Sequence, residues 1–142
     1  MFSLAINNQI SISLPRTRIL ALCRLVLSSQ KIKNADLSLA FVSKPVMRRL
    51  NLSYRGQNRA TDVLSFVFDQ SKNNLVGEII ICLPVAKSQA RALGHSLQQE
   101  VYRLLIHGLV HLCGYDHLKA REAVVMENIE KKLLSLYLAP AL

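Results

Sequence analysis

The sequence predicts a single α+β domain spanning residues 1–142, in which about four strands form a mixed sheet packed by helices. Three observations predict it. Hydrophobic spacing switches between a period of two and a period of 3.6 in the order β-α-β-α-β-β-α-α-α. The chain's 142 residues, 51% of them hydrophobic, are enough for one core and too few for two domains of ordinary size. No apolar run reaches the roughly 18 residues of a membrane span: Ile19 to Leu27 is interrupted by Arg24, and Ile79 to Ala86 by Pro84.

Each element has a local reason. Phe2 to Ile6 reads as the first strand, and Pro15, whose fixed φ suits a first helical turn, opens a helix carrying Ile19, Leu22, Leu25 and Val26 at helical spacing. Leu37 to Val42 reads as a second strand. A helix from Pro45 to about Tyr54 then delivers Arg55 into a polar loop, and Val63 to Phe68 and Leu75 to Ile81 read as neighbouring strands across an Asn-rich turn. Ala86 to Leu93 is a short helix stopped by Gly94. Ser96 and Gln99 then have the spacing of a capping box, in which the serine side chain and the glutamine three residues on satisfy each other's backbone N–H groups at a helix start. The last helix runs from about Lys119 to Leu138, with Ala123, Met126, Ile129, Leu133 and Leu136 on one face to close the core. Repeats and low-complexity tracts are absent.

The helix begun at Ser96 carries the chemistry. Three of the four histidines, His107, His111 and His117, fall within H-G-L-V-H-L-C-G-Y-D-H. Residues four apart on a helix are rotated by only about 40°, so His107 and His111 project side by side and can reach one ion. His117 would point about 240° away from His111 on a continuing helix, so the helix must end between them. Gly114 is the natural terminator, because without a Cβ it can take the left-handed conformation that turns the chain back. A lone histidine in an apolar helix is ordinarily a hydrogen-bonded core residue, but three in this arrangement leave many ring nitrogens to satisfy. Three imidazoles leave one coordination position open, a catalytic pattern rather than the closed, cysteine-rich structural one, and they favour zinc without excluding copper, nickel or iron. Such an ion would bring the pKa of a bound water toward about 7. Cys113 lies about 200° around the helix from His111 and reads as a core cysteine.

The spacing H-x3-H-x2-G-x2-H is shared with the metzincin proteases, which carry a general-base glutamate directly after the first histidine. Here that residue is Gly108. Peptide hydrolysis therefore loses its main support, while the metal site is kept.

The whole segment Leu105 to His117 closely resembles the signature of the YbeY family of bacterial endoribonucleases. Tyr54-Arg55-Gly56 with Thr61 to Phe66 is similar to that family's second motif, and Gly77-Glu78-Ile79 and Gly94-His95-Ser96 with Glu100 match in order and spacing. The chain departs from the family's usual residues at Gln57, Asn58 and Ala60, where lysine, aspartate and proline are common. The resemblance covers about Leu50 to Glu130. It implies a zincin-like fold around the metal helix and a zinc-dependent, single-strand-specific endoribonuclease that acts in late maturation of small-subunit ribosomal RNA and in ribosome quality control. It also implies one Zn2+ held by His107, His111 and His117, with Arg55 needed for activity. The partners implied are ribosomal RNA, the small subunit, a ribosomal protein and a ribosome-assembly GTPase.

Charge agrees with a polyanionic substrate. Residues 1–61 carry ten Lys and Arg against the single Asp36, whereas residues 62–142 carry eight of each sign, so the net +9 arises in the first half. Such a surface suits phosphates that release counterions on binding, although a solvated basic face is the plain alternative. With four Phe, four Tyr and no Trp, no ribbon of stacking aromatics is visible, which points to backbone and shape contacts. Three scattered cysteines, Cys23, Cys82 and Cys113, fit a reducing compartment, and the N-terminus lacks a secretory signal pattern, so the cytoplasm is expected, away from any membrane.

Single residues have plain alternatives. Arg55 after a helix reads locally as a carbonyl-capping surface residue; with the resemblance it becomes a bidentate clamp on the scissile phosphate. Arg59 is expected as a second phosphate contact. Asp116 reads as a helix cap or as a partner orienting an imidazole, and His95 as a cleft or solvent-facing residue. Two other functions share these features: a metalloprotease-like zinc hydrolase, and a non-catalytic ribosome-binding module with structural zinc.

Overall fold

A computed structural model describes residues 2–8, 14–71, 74–114 and 120–137, the side chains of 120–122 and 136–137 excepted. The elements are β1 (Phe2–Asn8), α1 (Arg16–Ser29), β2 (Asn34–Val42), α2 (Lys44–Arg55), β3 (Val63–Ser71), β4 (Asn74–Cys82), α3 (Leu83–Leu93), α4 (Leu97–Leu112) and α5 (Ala120–Tyr137). Their order is the one the periodicity predicts, and the fold is α+β.

The four strands lie in the order β1-β2-β4-β3, with β1, β2 and β4 parallel and β3 antiparallel to β4. The sheet is thus mixed, and β1 and β3 are its edges. Successive strand residues face opposite sides, which divides the interior in two. Leu37, Leu39, Phe41, Leu75, Ile79 and Ile81 face α1, α4 and α5 and form the main core. Val42, Leu64, Ile80 and Cys82 face the other way and pack with Met47 of α2 in a smaller core. Consequently α2 and α4 cover opposite faces of the sheet.

Boundaries differ from the sequence reading where tertiary pairing outruns local pattern. β2 starts at Asn34 and β3 continues to Ser71, because each runs beside β4 over its whole length. The third helix starts at Leu83 instead of Ala86, since Pro84 sits in the first turn, where its missing N–H costs nothing. In α2, Ser43 caps the N-terminus by accepting from the Val46 N–H, and Gly56 ends the helix at φ 70°. Arg55 is therefore the last residue of the helix, not the first of the loop. Of the expected α5 face, Met126 and Leu133 are buried and Ile129 packs against the core; the expected ends at Lys119 and Leu138 lie outside the described residues.

No helix among the described residues is long and apolar enough to cross a membrane.

Candidate metal centre and its surroundings

α4 is built to hold its position. Ser96 accepts from the Gln99 N–H at 3.1 Å, and the Gln99 side chain accepts from the Ser96 N–H at 3.0 Å, the capping box read from the sequence. The helix then buries Val101, Tyr102, Leu104, Leu105, Ile106, Leu109, Val110 and Leu112, so only one stripe faces outward. His107 and His111 lie on that stripe, half-buried and one turn apart. The helix stops at Leu112, and Gly114, at φ 108°, donates its N–H to the His111 carbonyl at 3.0 Å. The positive φ expected of Gly114 is present, and the course of the chain beyond it lies outside the described residues. His117 and Asp116 lie outside the described residues, and among those described no three His, Cys, Asp or Glu side chains form a metal-binding group.

The helix comes unusually close to the sheet. A Cβ on Gly108 would lie 3.0 Å from Ser65 Oγ and 3.1 Å from Ile79 Cγ2, and one on Gly77 would lie 2.9 Å from the Phe66 carbonyl and 3.1 Å from Leu112 Cδ2. Ser65 Oγ donates to the Gly108 carbonyl at 3.3 Å. The position after the first histidine thus points into the sheet, so a general-base carboxylate placed there would be buried against β3 and β4. Its absence follows from the packing.

Three acidic groups not singled out for a role by sequence reasoning make specific contacts in this part of the fold. Glu130 of α5 places Oε1 2.6 Å from His107 Nδ1. The approach has the distance of an ion pair without the geometry of a hydrogen bond to Oε1; a carboxylate beside Nδ1 is how ligand imidazoles are commonly oriented, with Nε2 toward the cation. Two imidazoles one turn apart, one of them held by a carboxylate, are a donor set that fits a borderline metal such as zinc. Glu100, fully buried, accepts from Arg103 at 2.8 and 2.6 Å, and His95 Nε2 lies 2.8 Å from its Oε1. Burial alone would raise the Glu100 pKa, but the hydrogen bonds from Arg103 and His95 outweigh it and hold the carboxyl below its usual range. His95 is therefore paired with a core carboxylate instead of facing solvent. The same pairing raises Arg103 still further above its ordinary value. Asp62 accepts from the Val63 N–H at 2.8 Å and from Gln89 at 3.3 Å, tying the start of β3 to α3.

Cys113 packs half-buried at the end of α4 against the main core, and burial pushes its thiol up to about 11. Cys23 is pushed up to about 12 by the same cause, and all three cysteines are free.

Arg55 is exposed at the end of α2. Its helix packs through Met47 on the face of the sheet opposite α4. The loop after it is pinned by the buried Asn51, whose Nδ2 donates to the Arg59 carbonyl at 2.9 Å. The Arg59 guanidinium donates twice to Gln57 Oε1, at 3.2 and 3.0 Å. Gln57, a departure from the usual family residue, therefore has a local role in fixing Arg59. All ten basic residues of the first 61 are exposed.

The structure also joins aromatics that the sequence leaves scattered. Tyr54 of α2 meets Phe66 of β3 with ring centroids 5.0 Å apart.

Comparison with known proteins places these features. The solution structure of TM1509 from Thermotoga maritima superposes with a TM-score of 0.69 at 25% identity, over 95% of this chain and 89% of that one. The endoribonuclease YbeY of Renibacterium salmoninarum is 34% identical over 98% of this chain and 97% of its own length, and that of Finegoldia magna is 42% identical over 71% and 68%. The family model described as Endoribonuclease YbeY matches residues 5–137. With a match across nearly the whole length, and with the histidine helix, its glycine stop and the Tyr-Arg-Gly helix end all in place, the chain belongs to the endoribonuclease YbeY family.

Proposed function

We propose that the protein is a zinc-dependent endoribonuclease that cuts single-stranded RNA, with small-subunit ribosomal RNA as its substrate during late maturation and quality control. The observation that carries this reading is the placement of His107 and His111 one turn apart on the outward stripe of α4, with the helix ended at Gly114 by a positive φ. His107, His111 and His117 would hold the ion. When bound, zinc supplies Lewis acidity toward a phosphate oxygen and a nucleophilic water near neutral pH.

The chain's own residues do the rest. Glu130 fixes the ring of His107, and the α4–sheet contact at Gly108 sets the helix depth. Arg55 offers a planar guanidinium that can hold two phosphate oxygens at once and stabilise charge developing on them. Arg59, held by Gln57, offers a second cation on the same loop. The exposed basic surface of residues 1–61 draws in the polyanion. Family resemblance supports the small ribosomal subunit, a ribosomal protein and an assembly GTPase as partners. Three unpaired cysteines support a reducing, cytoplasmic setting.

The test compares wild type, His111→Ala and Arg55→Ala for cleavage of a single-stranded ribosomal RNA fragment, with folding followed by circular dichroism. The reading predicts that both variants fold and neither cuts. Peptidase activity in the wild type, or RNA binding without cleavage, would favour a protease-like hydrolase or a structural-zinc module respectively.

A further inference from the structure

The edge of the sheet at β3 carries apolar surface that the fold leaves uncovered. Tyr54 and Phe68 are 66% and 67% exposed, and Leu52 and Val67 are also open to solvent. Phe68 occupies the bulge where the register passes from Val67 opposite Gly77 to Asp69 opposite Val76. Tyr54 overhangs the strand at the end of α2, with Phe66 against its ring at 5.0 Å and a tilt of 58°. Exposed aromatics at a sheet edge, here Tyr54 of α2 and Phe68 of β3, are a liability for self-association unless they serve a partner.

Charge identifies the partner. Residues 37–61 contain Lys44, Arg48, Arg49, Arg55 and Arg59 and no acidic residue, and all five cations are exposed. Leu52 falls between Arg48 and Arg55 on one helical face. Among the described residues, Asp62 follows this stretch directly and Glu78 opposite Phe66 and Asp69 beside Phe68 border the patch, with Asp62 and Glu78 half-buried. An apolar peptide needs no such excess of cations, and duplex RNA keeps its base faces stacked inside the helix. An unpaired strand has both a line of phosphates and open π faces.

We infer that Tyr54, backed by Phe66 and followed by Phe68, is a stacking subsite for unpaired bases of an RNA strand whose phosphates run along Arg48, Arg55 and Arg59. This inference rests on the RNA-cleaving reading and gives it a structural source of single-strand preference. The platform escapes a reading of sequence alone because Tyr54 and Phe66 are twelve positions apart on different elements. It also tempers the expectation of backbone and shape contacts only.

The experiment measures binding of the full chain, by fluorescence anisotropy, to a single-stranded octaribonucleotide and to the same backbone with its four central bases removed. Stacking of one base predicts that wild type binds the base-bearing strand about five- to a hundredfold more tightly. Tyr54→Leu, which keeps apolar bulk against Phe66, should lose most of that ratio, whereas Tyr54→Phe should keep it. A ratio near one in the wild type, or an unchanged ratio in Tyr54→Leu, would overturn the subsite while leaving RNA binding intact. A dimer in sedimentation that disappears in Tyr54→Leu would overturn it in favour of a second copy of the chain. Failure of the wild type to bind either strand would remove the RNA reading and the subsite together.

Discussion

His107 and Glu130 meet across the α4–α5 interface, with ring Nδ1 2.6 Å from the carboxylate Oε1. The pair links α5 to the proposed metal centre, so on that proposal α5 would serve the site as well as the core. Replacing Glu130 with alanine should lower metal affinity about ten- to a hundredfold, and Glu130→Gln should lose less, because its amide oxygen can still accept from Nδ1–H. Equilibrium metal titration of folded protein measures this. Equal affinity in all three proteins would show that the carboxylate does not orient the ring.

The closeness of α4 to the sheet is testable at two glycines. A methyl group at Gly77 meets the Phe66 backbone carbonyl at 2.9 Å, so Gly77→Ala should destabilise the fold by about 1–3 kcal/mol. Gly108→Ala meets Ser65 Oγ at 3.0 Å, and a helix-propensity gain of about 1 kcal/mol partly offsets the clash, so its loss should be smaller. Gly108→Glu, which restores the protease-like carboxylate in sequence, should cost more than either and confer no peptidase activity. Chemical denaturation ranks the three.

Glu100 ties stability to pH. Its folded pKa lies below the ordinary carboxyl value, so its contribution is complete above about pH 4.3 and is lost as pH falls through the lower folded value. Glu100→Gln removes charged hydrogen bonds to an Arg103 that is itself partly solvated, and should cost about 2–3 kcal/mol at pH 7. The gap between wild type and variant should shrink toward acid. A gap that stays constant from pH 7 to pH 3 would contradict this account.

Arg55 is expected to act through shape as well as charge. Arg55→Lys keeps the cation on an exposed helix end but loses the two-pronged grip, so RNA affinity should hold within a few-fold while the cleavage rate falls tenfold or more, roughly what loss of an oriented donor costs. Single-turnover cleavage separates the two effects. A lysine variant that cuts at the wild-type rate would reduce Arg55 to a point charge.

Features written in adjacent residues were legible before the structure. The capping box of Ser96 and Gln99, the His107–His111 spacing and the Gly114 stop are local patterns, and each sits where the sequence puts it. What escaped depends on how the elements pack against one another. Glu100 enters the sequence reading only through its match in order and spacing, and it is the packing of its helix that buries it with Arg103 and His95 around its carboxylate. Glu130 reads as one more acid on a charged helix until α5 folds back onto α4. The value of Gly108 and Gly77 lies in a helix–sheet distance, which no periodicity reports.

On the proposed mechanism a cation held by His107 and His111, with His117 as third donor, drives RNA cleavage. The most direct measurement titrates Zn2+ into metal-free protein while following cleavage of a single-stranded RNA. The account predicts that activity rises with the first equivalent bound, and that His111→Ala loses binding and cleavage together while staying folded. Undiminished cutting by the metal-free protein, or by His111→Ala, would contradict it.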